Sequence, residues 1–170
     1  MRDTALPLEA TSETLDFESF FRTEYRSLCQ ALVLLVGDRF EAEEIAQETM
    51  TRVLERWDRV SEMASPTGYA YRTALNLQRK RIRRLAVRAK KRFASVPMGD
   101  PGPEASERQD VRRALASLSE NQRAALVLVD WIDMDTEEAA RTLGITPGNL
   151  RVRLHRARSA LREALGATHE

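Results

Sequence analysis

The chain has 170 residues, 42% hydrophobic and 31% charged, with Ala, Leu, Arg and Glu dominant and few glycines or prolines; this is the composition of packed helices, in one ordinary domain or two small ones. Its single cysteine, Cys29, excludes a disulfide framework or a cysteine zinc site within one chain, and no window is apolar enough for membrane insertion or for the core of a signal peptide, so a cytoplasmic protein is expected. The net charge of +1 hides four alternating blocks: seven basic against fourteen acidic groups over 1–62, ten against none over 63–99, four against ten over 100–140, and six against two over 141–170. Two separate basic blocks in a near-neutral chain point to two polyanion contacts, with acidic surfaces left for protein partners.

Residues 1–16 are polar and aperiodic and read as a disordered lead-in. From Phe17 the pattern becomes helical: Phe17, Phe20, Phe21, Tyr25, Leu28, Leu32 and Leu35 share one side, Cys29 is expected to be a small apolar side chain in the packing, and Gly37 ends the run. Asp38 then caps a second helix, with Glu41 in the position of a capping-box partner. Its apolar stripe is Ala42, Ala46, Met50, Val53 and Trp57, which leaves Glu41, Glu44 and Glu48 to solvent or a partner.

A loop over 61–68 contains Ser65-Pro66, and a third helix is expected from about Thr67 to about Arg92. One stripe of it carries Tyr71, Ala74, Leu75, Ile82 and Leu85, interrupted by Gln78; the opposite stripe carries Arg72, Asn76, Arg79 and Arg83. A merely solvated face normally mixes signs, and this one belongs to a stretch without acids. Residues 93–108 gather Pro, Gly and acids and read as a flexible linker between two domains, 17–92 and 109–166.

In the second domain a short helix "VRRALASL" comes first. Ser119, with Gln122 as box partner, caps "SENQRAALVLVDWI"; Asp135, with Glu138, caps "DTEEAARTLG"; and Thr146 caps the last helix, with Pro147 at its first position. Helix, short turn with Gly144, helix is the helix-turn-helix arrangement. On the last helix Leu150, Leu154, Ala157, Leu161 and Leu165 form the core stripe. Arg151, Arg153 and Arg158 flank it at the height of phosphates. Asn149, Val152, Arg153, His155 and Arg156 are placed for base edges, and Gly148 lets the first turn approach a phosphate. The expected fold class is therefore all-α: two small helical domains on a flexible linker, the C-terminal one a helix-turn-helix.

Three stretches together resemble a known family: "GDRFEAEEIAQETMTRVLERW" (37–57), "SPTGYAYRTALNLQRKRIRR" (65–84) and "LSENQRAALVLVDWIDMDTEEAARTLGITPGNLRVRLHRARSALRE" (118–163). In this order they are similar to the bacterial RNA polymerase sigma factors of the extracytoplasmic-function (ECF) group. The resemblance implies that 17–92 is a region 2 domain and 109–166 a region 4 domain. It implies that Ala42, Glu43, Glu44, Ile45, Gln47 and Glu48 dock on the β′ clamp helices of core RNA polymerase, with the β subunit a further contact. It implies that Tyr69, Arg72, Asn76, Arg79, Lys80 and Arg83 line the melted −10 strand, with loop 61–68 capturing a flipped base. It implies that Thr146, Gly148, Asn149, Arg151, Val152, Arg153, His155, Arg156 and Arg158 serve the −35 duplex. Promoter DNA is the implied ligand, an anti-sigma protein is a partner common in the group, and no cofactor or metal is implied. The start of the last helix, "TPGNL", and Lys80 depart from the usual pattern of the group.

Two other classes compete. A stand-alone helix-turn-helix regulator explains 109–165 and leaves the acidic helix and the first basic face without a role. An enzyme lacks its signature: there is no GxxxxGK, HExxH, GxSxG or CxxC motif, and His155 and His169 are separated with no ligand company.

Overall fold

The structure, a computed structural model, describes residues 16–89 and 106–166, with side chains over 16–84 and 111–166. The expected lead-in, apart from its last residue, and most of the expected linker lie outside the described residues. Asp16, that last residue, caps the first helix by accepting from the Ser19 amide at 2.8 Å. Helix α1 spans Phe17–Val36 and ends at Gly37, whose φ of 83° is the left-handed conformation that glycine adopts without a steric penalty. Asp38 caps α2, Arg39–Leu54, through the Glu41 amide at 2.7 Å. A single turn, α3, spans Trp57–Val60, inside the stretch that leads into the expected loop, and α4 follows over Pro66–Ala89.

Packing in this first bundle follows the stripes with two changes. Ile45 and Thr49 join the buried face of α2, and on α4 Leu77 and Gln78 are buried whereas Ile82 is exposed. The cause is where α1 stops. Gln78 reaches the Leu35 carbonyl in the last turn of α1, at 3.3 Å; one turn further, Ile82 has passed the end of α1. Phe17 and Phe20 both pack on Trp57, with ring centroids 5.5 and 5.1 Å apart, and Phe21 stacks on Tyr25 at 4.7 Å. Cys29 is half-buried, and burial pushes its thiol pKa up, as befits a packing residue rather than a reactive one.

The second bundle begins at α5, Ser106–Ser117, three residues ahead of the expected start. Helix α6, Glu120–Leu126, opens with a complete capping box between Ser119 and Gln122 and continues into a π-helical turn, Val127–Trp131. Helix α7, Thr136–Leu143, ends at Gly144 (φ 69°), and α8, Pro147–Gly166, follows. Leu150, Leu154 and Ala157 seat α8 in the bundle, and Leu161 packs on its edge.

The two bundles are not held apart. Their buried residues form one continuous apolar cluster, and polar contacts cross between them. Arg123 on α6 donates to the Leu35 carbonyl of α1, Arg112 on α5 to the carbonyl of Gly37, Arg79 on α4 pairs with Glu120 on α6, and Ser65 at the head of α4 donates to Glu138 on α7.

Candidate nucleic-acid interface

The last helix presents its residues as its wheel requires. Thr146 caps α8 by accepting from the Asn149 amide at 3.2 Å, which fixes the first turn. Gly148, Asn149, Arg151, Val152, His155 and Arg156 are exposed and Arg153 is half-buried. A Cβ placed on Gly148 would meet nothing within 4 Å, so the protein itself does not require glycine there. Arg158 is held: Asp130 on the π-helical turn accepts from its Nε at 3.0 Å and from Nη2 at 2.6 Å. A cleft of about 290 Å³ beside this pair is lined by Val129, Thr136, Arg151, Leu154, His155, Arg158 and Arg162. The π turn, which sequence periodicity does not announce, carries Asp130 on its outer side, within reach of Arg158.

On α4, Arg72, Asn76, Lys80 and Arg83 are exposed along one side. Tyr69 is half-buried, packs on the core, and accepts a hydrogen bond from Arg56 at 3.1 Å. Arg79 is turned to Glu120, at 3.3 Å. In the first turn of α4 Gly68 is buried, and a Cβ there would lie 3.2 Å from both Glu138 Oε1 and Thr142 Oγ1 on α7, whereas Glu62 and Ala64 in the loop ahead of α4 are exposed. Glu138 sits in the capping-box position of α7, but its carboxylate accepts from Ser65 in the other bundle.

The acidic helix α2 divides into two kinds of residue. Ala42 and Ile45 are fully buried and support the helix from within, so they offer no side chain to a partner. Gln47 and Glu44 are exposed, and Glu43 and Glu48 are half-buried. Glu44 is open to solvent and Glu48 partly so, and both also pair within the chain. Arg81 of α4, absent from the expected site, reaches Glu44 at 2.8 Å and Glu48 at 3.3 Å, while Arg52 holds Glu48 at 2.7 Å and Arg39 holds Glu43 at 3.0 Å. Arg81 is one of five cations over 79–84, and nothing local distinguishes it, because its acids lie 33 and 37 residues away in sequence. Beside Gln47 an apolar cleft of about 360 Å³ is lined by Phe17, Phe21, Tyr25, Met50, Thr51 and Leu54.

Comparison with known proteins agrees with this layout. Sigma-70 region 2 matches residues 20–88, and Sigma-70 region 4 matches residues 108–161. The RNA polymerase sigma-E factor of Streptomyces coelicolor is 31% identical over 157 residues, covering 91% of this chain and 89% of that protein. The ECF RNA polymerase sigma factor SigE of Mycolicibacterium smegmatis is 34% identical over 142 residues, covering 77% of this chain and 54% of that one. Among solved structures, the sigma factor RpoE of Bartonella quintana, in complex with the anti-sigma factor NepR, superposes with a TM-score of 0.79 at 23% identity, covering 89% of this chain and 97% of that one. CnrH, in complex with the cytosolic domain of CnrY, gives 0.69 at 23% identity, covering 89% and 88%. The chain belongs to the RNA polymerase sigma factors, in the ECF group.

Proposed function

We propose that this protein is the promoter-specificity subunit of a bacterial RNA polymerase, acting in the cytoplasm and without catalytic chemistry of its own. The observation that carries the reading is the pairing of two cationic helices in one chain: α4 exposes Arg72, Asn76, Lys80 and Arg83, and α8 exposes Asn149, Arg151, Val152, His155 and Arg156, each inside its own family region. Helix α8 enters the major groove at the −35 element. Val152, Arg153 and Arg156 meet base edges, with Asn149 and His155 beside them, and Arg151 and Arg158 meet phosphates, with Gly148 and the Thr146 cap at the helix start close to the backbone. Helix α4 takes the melted −10 strand through Arg72, Asn76, Arg79, Lys80 and Arg83, with Tyr69 beside the loop that receives a flipped base, a step that costs roughly a few kcal/mol and is offset by phosphate contacts.

Gln47, Glu43, Glu44 and Glu48, with the apolar cleft at Phe21 and Leu54, form the docking surface for the β′ clamp helices, and the β subunit contacts the second bundle. An anti-sigma protein that covers these same surfaces would hold the factor inactive. Among the described residues no helix is long and apolar enough to cross a membrane.

Run-off transcription tests the reading. Core polymerase plus this chain on a genomic promoter library should give discrete transcripts that are absent without it. Tight, specific binding of the chain alone to one duplex operator, with no polymerase-dependent transcript, would instead establish a stand-alone regulator.

A further inference from the structure

The cationic stripe of α4 continues onto another part of the chain. At 100° per residue Tyr69, Arg72, Asn76, Lys80 and Arg83 fall within an arc of about 80°. Tyr69 therefore stands in line with the strand face, at the end nearest loop 61–68. Its ring packs on the core of the first bundle, and its hydroxyl oxygen accepts from Arg56 Nη1 at 3.1 Å. Arg56 lies at the junction between α2 and α3.

The backbone of that junction is held from both sides. The Arg56 amide donates to the Val53 carbonyl at 3.1 Å, and the Arg56 carbonyl accepts from the amides of Arg59 and Val60 at 3.1 and 2.9 Å. Trp57, the next residue, packs on Phe17 and Phe20, and Val60 is fully buried. The side chain of Arg56 is exposed. Arg52, Arg79 and Arg81 each pair with a carboxylate, whereas among the described residues Arg56 makes no ion pair and holds a neutral phenol. A guanidinium has five N–H donors in a fixed fork, so one bond to Tyr69 leaves the others for a phosphate or a base edge. The phenol oxygen that accepts from it keeps its own proton to donate.

We infer that Arg56 is a positioning residue for the melted strand: it fixes the Tyr69 ring at the end of the α4 stripe, set to stack on an unstacked base, and it carries the cationic track past α4 onto the α2–α3 junction. The inference rests on the assignment of α4 to the −10 strand given above. From Tyr69 to Arg83 the stripe runs fourteen positions, about 21 Å along the helix. Arg56 lengthens it at the end where the flipped base is received. Stacking of a base on an aromatic ring gains most when the ring is already held, because little rotamer freedom is then lost on binding. Core packing holds one side of Tyr69, and Arg56 holds its hydroxyl.

The test uses core polymerase with the full chain on a promoter that gives a run-off transcript. A fluorescent adenine analogue, which brightens when its base leaves the stack, is placed at successive positions of the non-template −10 strand. Arg56→Ala should lower the equilibrium constant for opening about fivefold, the factor carried by a net hydrogen bond of ordinary strength. Arg56→Lys should recover part of this. Tyr69→Phe keeps the ring and removes the hydroxyl; it should lose a similar factor, and the double variant should be no worse than either single one. Thermal unfolding of Arg56→Ala should match the parent, because the side chain is exposed. A Tyr69→Phe variant that opens DNA like the parent, or losses that add in the double variant, overturns the inference, since Arg56 would then act without Tyr69. An equal loss in Arg59→Ala, an exposed cation on α3, overturns it as an effect of net charge. A Tm that falls together with opening makes the contact a structural one and overturns it as well. A parent that gives neither transcript nor brightening sinks the −10 assignment and this inference with it; a parent that opens DNA, with every variant equal to it, sinks the positioning role alone.

Discussion

Arg123 and Leu35, 88 positions apart, meet at 2.7 Å: the guanidinium Nη1 of α6 donates to the carbonyl oxygen in the last turn of α1. That oxygen has no partner along its own helix, as the last carbonyls of any helix do not. The same guanidinium donates to the carbonyls of Leu115, Ala116 and Leu118 and so also closes the end of α5. Half-burial lowers the Arg123 pKa, with Glu120 opposing that shift. Arg123→Met is expected to lose about 2–3 kcal/mol in urea unfolding. Arg123→Lys should recover little, because an ammonium cannot span the forked set of acceptors. A lysine variant as stable as the parent would refute this account of the hub.

Helix α2 separates support from contact. Ile45→Ala removes a fully buried side chain and should cost about 3 kcal/mol of stability. Gln47→Lys alters an exposed side chain on the same helix. It should leave thermal unfolding within about 0.5 kcal/mol and weaken binding to core polymerase severalfold. Calorimetry and a pull-down with core polymerase read the two effects separately; loss of polymerase binding in the alanine variant alone, with Gln47→Lys unaffected, would move the docking surface elsewhere.

Gly148 makes opposite demands in the protein and on DNA. Nothing lies within 4 Å of a Cβ there, and the residue is helical, so Gly148→Ala should stabilise the free protein by about 0.5 kcal/mol. In the proposed −35 complex the same methyl would face the approaching backbone of the duplex, and promoter affinity should fall. A variant that gains stability and keeps its affinity would show that the first turn of α8 does not come close to a phosphate.

Glu24 makes the contact between α1 and the head of α4, within the first bundle, pH-dependent. It accepts from Thr67 Oγ1 of α4 at 3.1 Å; Tyr71 of α4 and Glu138 of α7 are the other titratable groups coupled to it. Burial raises its pKa, the Thr67 hydrogen bond opposes this, and Glu138 raises it further. A raised carboxyl pKa means that its contribution to stability is fully present below the ordinary carboxylate range and is lost as pH rises through the raised value. Glu24→Gln keeps an acceptor for Thr67 and should therefore gain about 0.5–1 kcal/mol at pH 7 and nothing below about pH 4. Unfolding measured at both pH values checks it; a gain that does not change with pH would rule out the titration.

What could be read from the sequence was what is decided locally. Gly37 with Asp38, Ser119 with Gln122, and Thr146 with Pro147 each set a boundary within four residues of chain, and all three boundaries stand where their chemistry puts them. The wheel of α8 sorted Leu150, Leu154 and Ala157 from the exposed arginines for the same reason. What could not be read depends on distant chain. Ile82 and Gln78 exchange places because α1 ends where it does. Glu138 satisfies the capping-box pattern in sequence, yet its carboxylate goes to Ser65, 73 residues earlier. Arg81 looks like any of its cationic neighbours until Glu44 and Glu48 are brought beside it.

The Leu35 carbonyl also orders the assembly of the molecule in time. A chain synthesised from its N-terminus makes this acceptor first, Gln78 follows 43 residues later, and Arg123 comes 88 residues after the acceptor. The first bundle can therefore fold and present a finished helix end while the second is still being made. The later bundle then docks on a prepared surface, and a ribosome-stalled chain ending before α6 should already hold α1, α2 and α4 together.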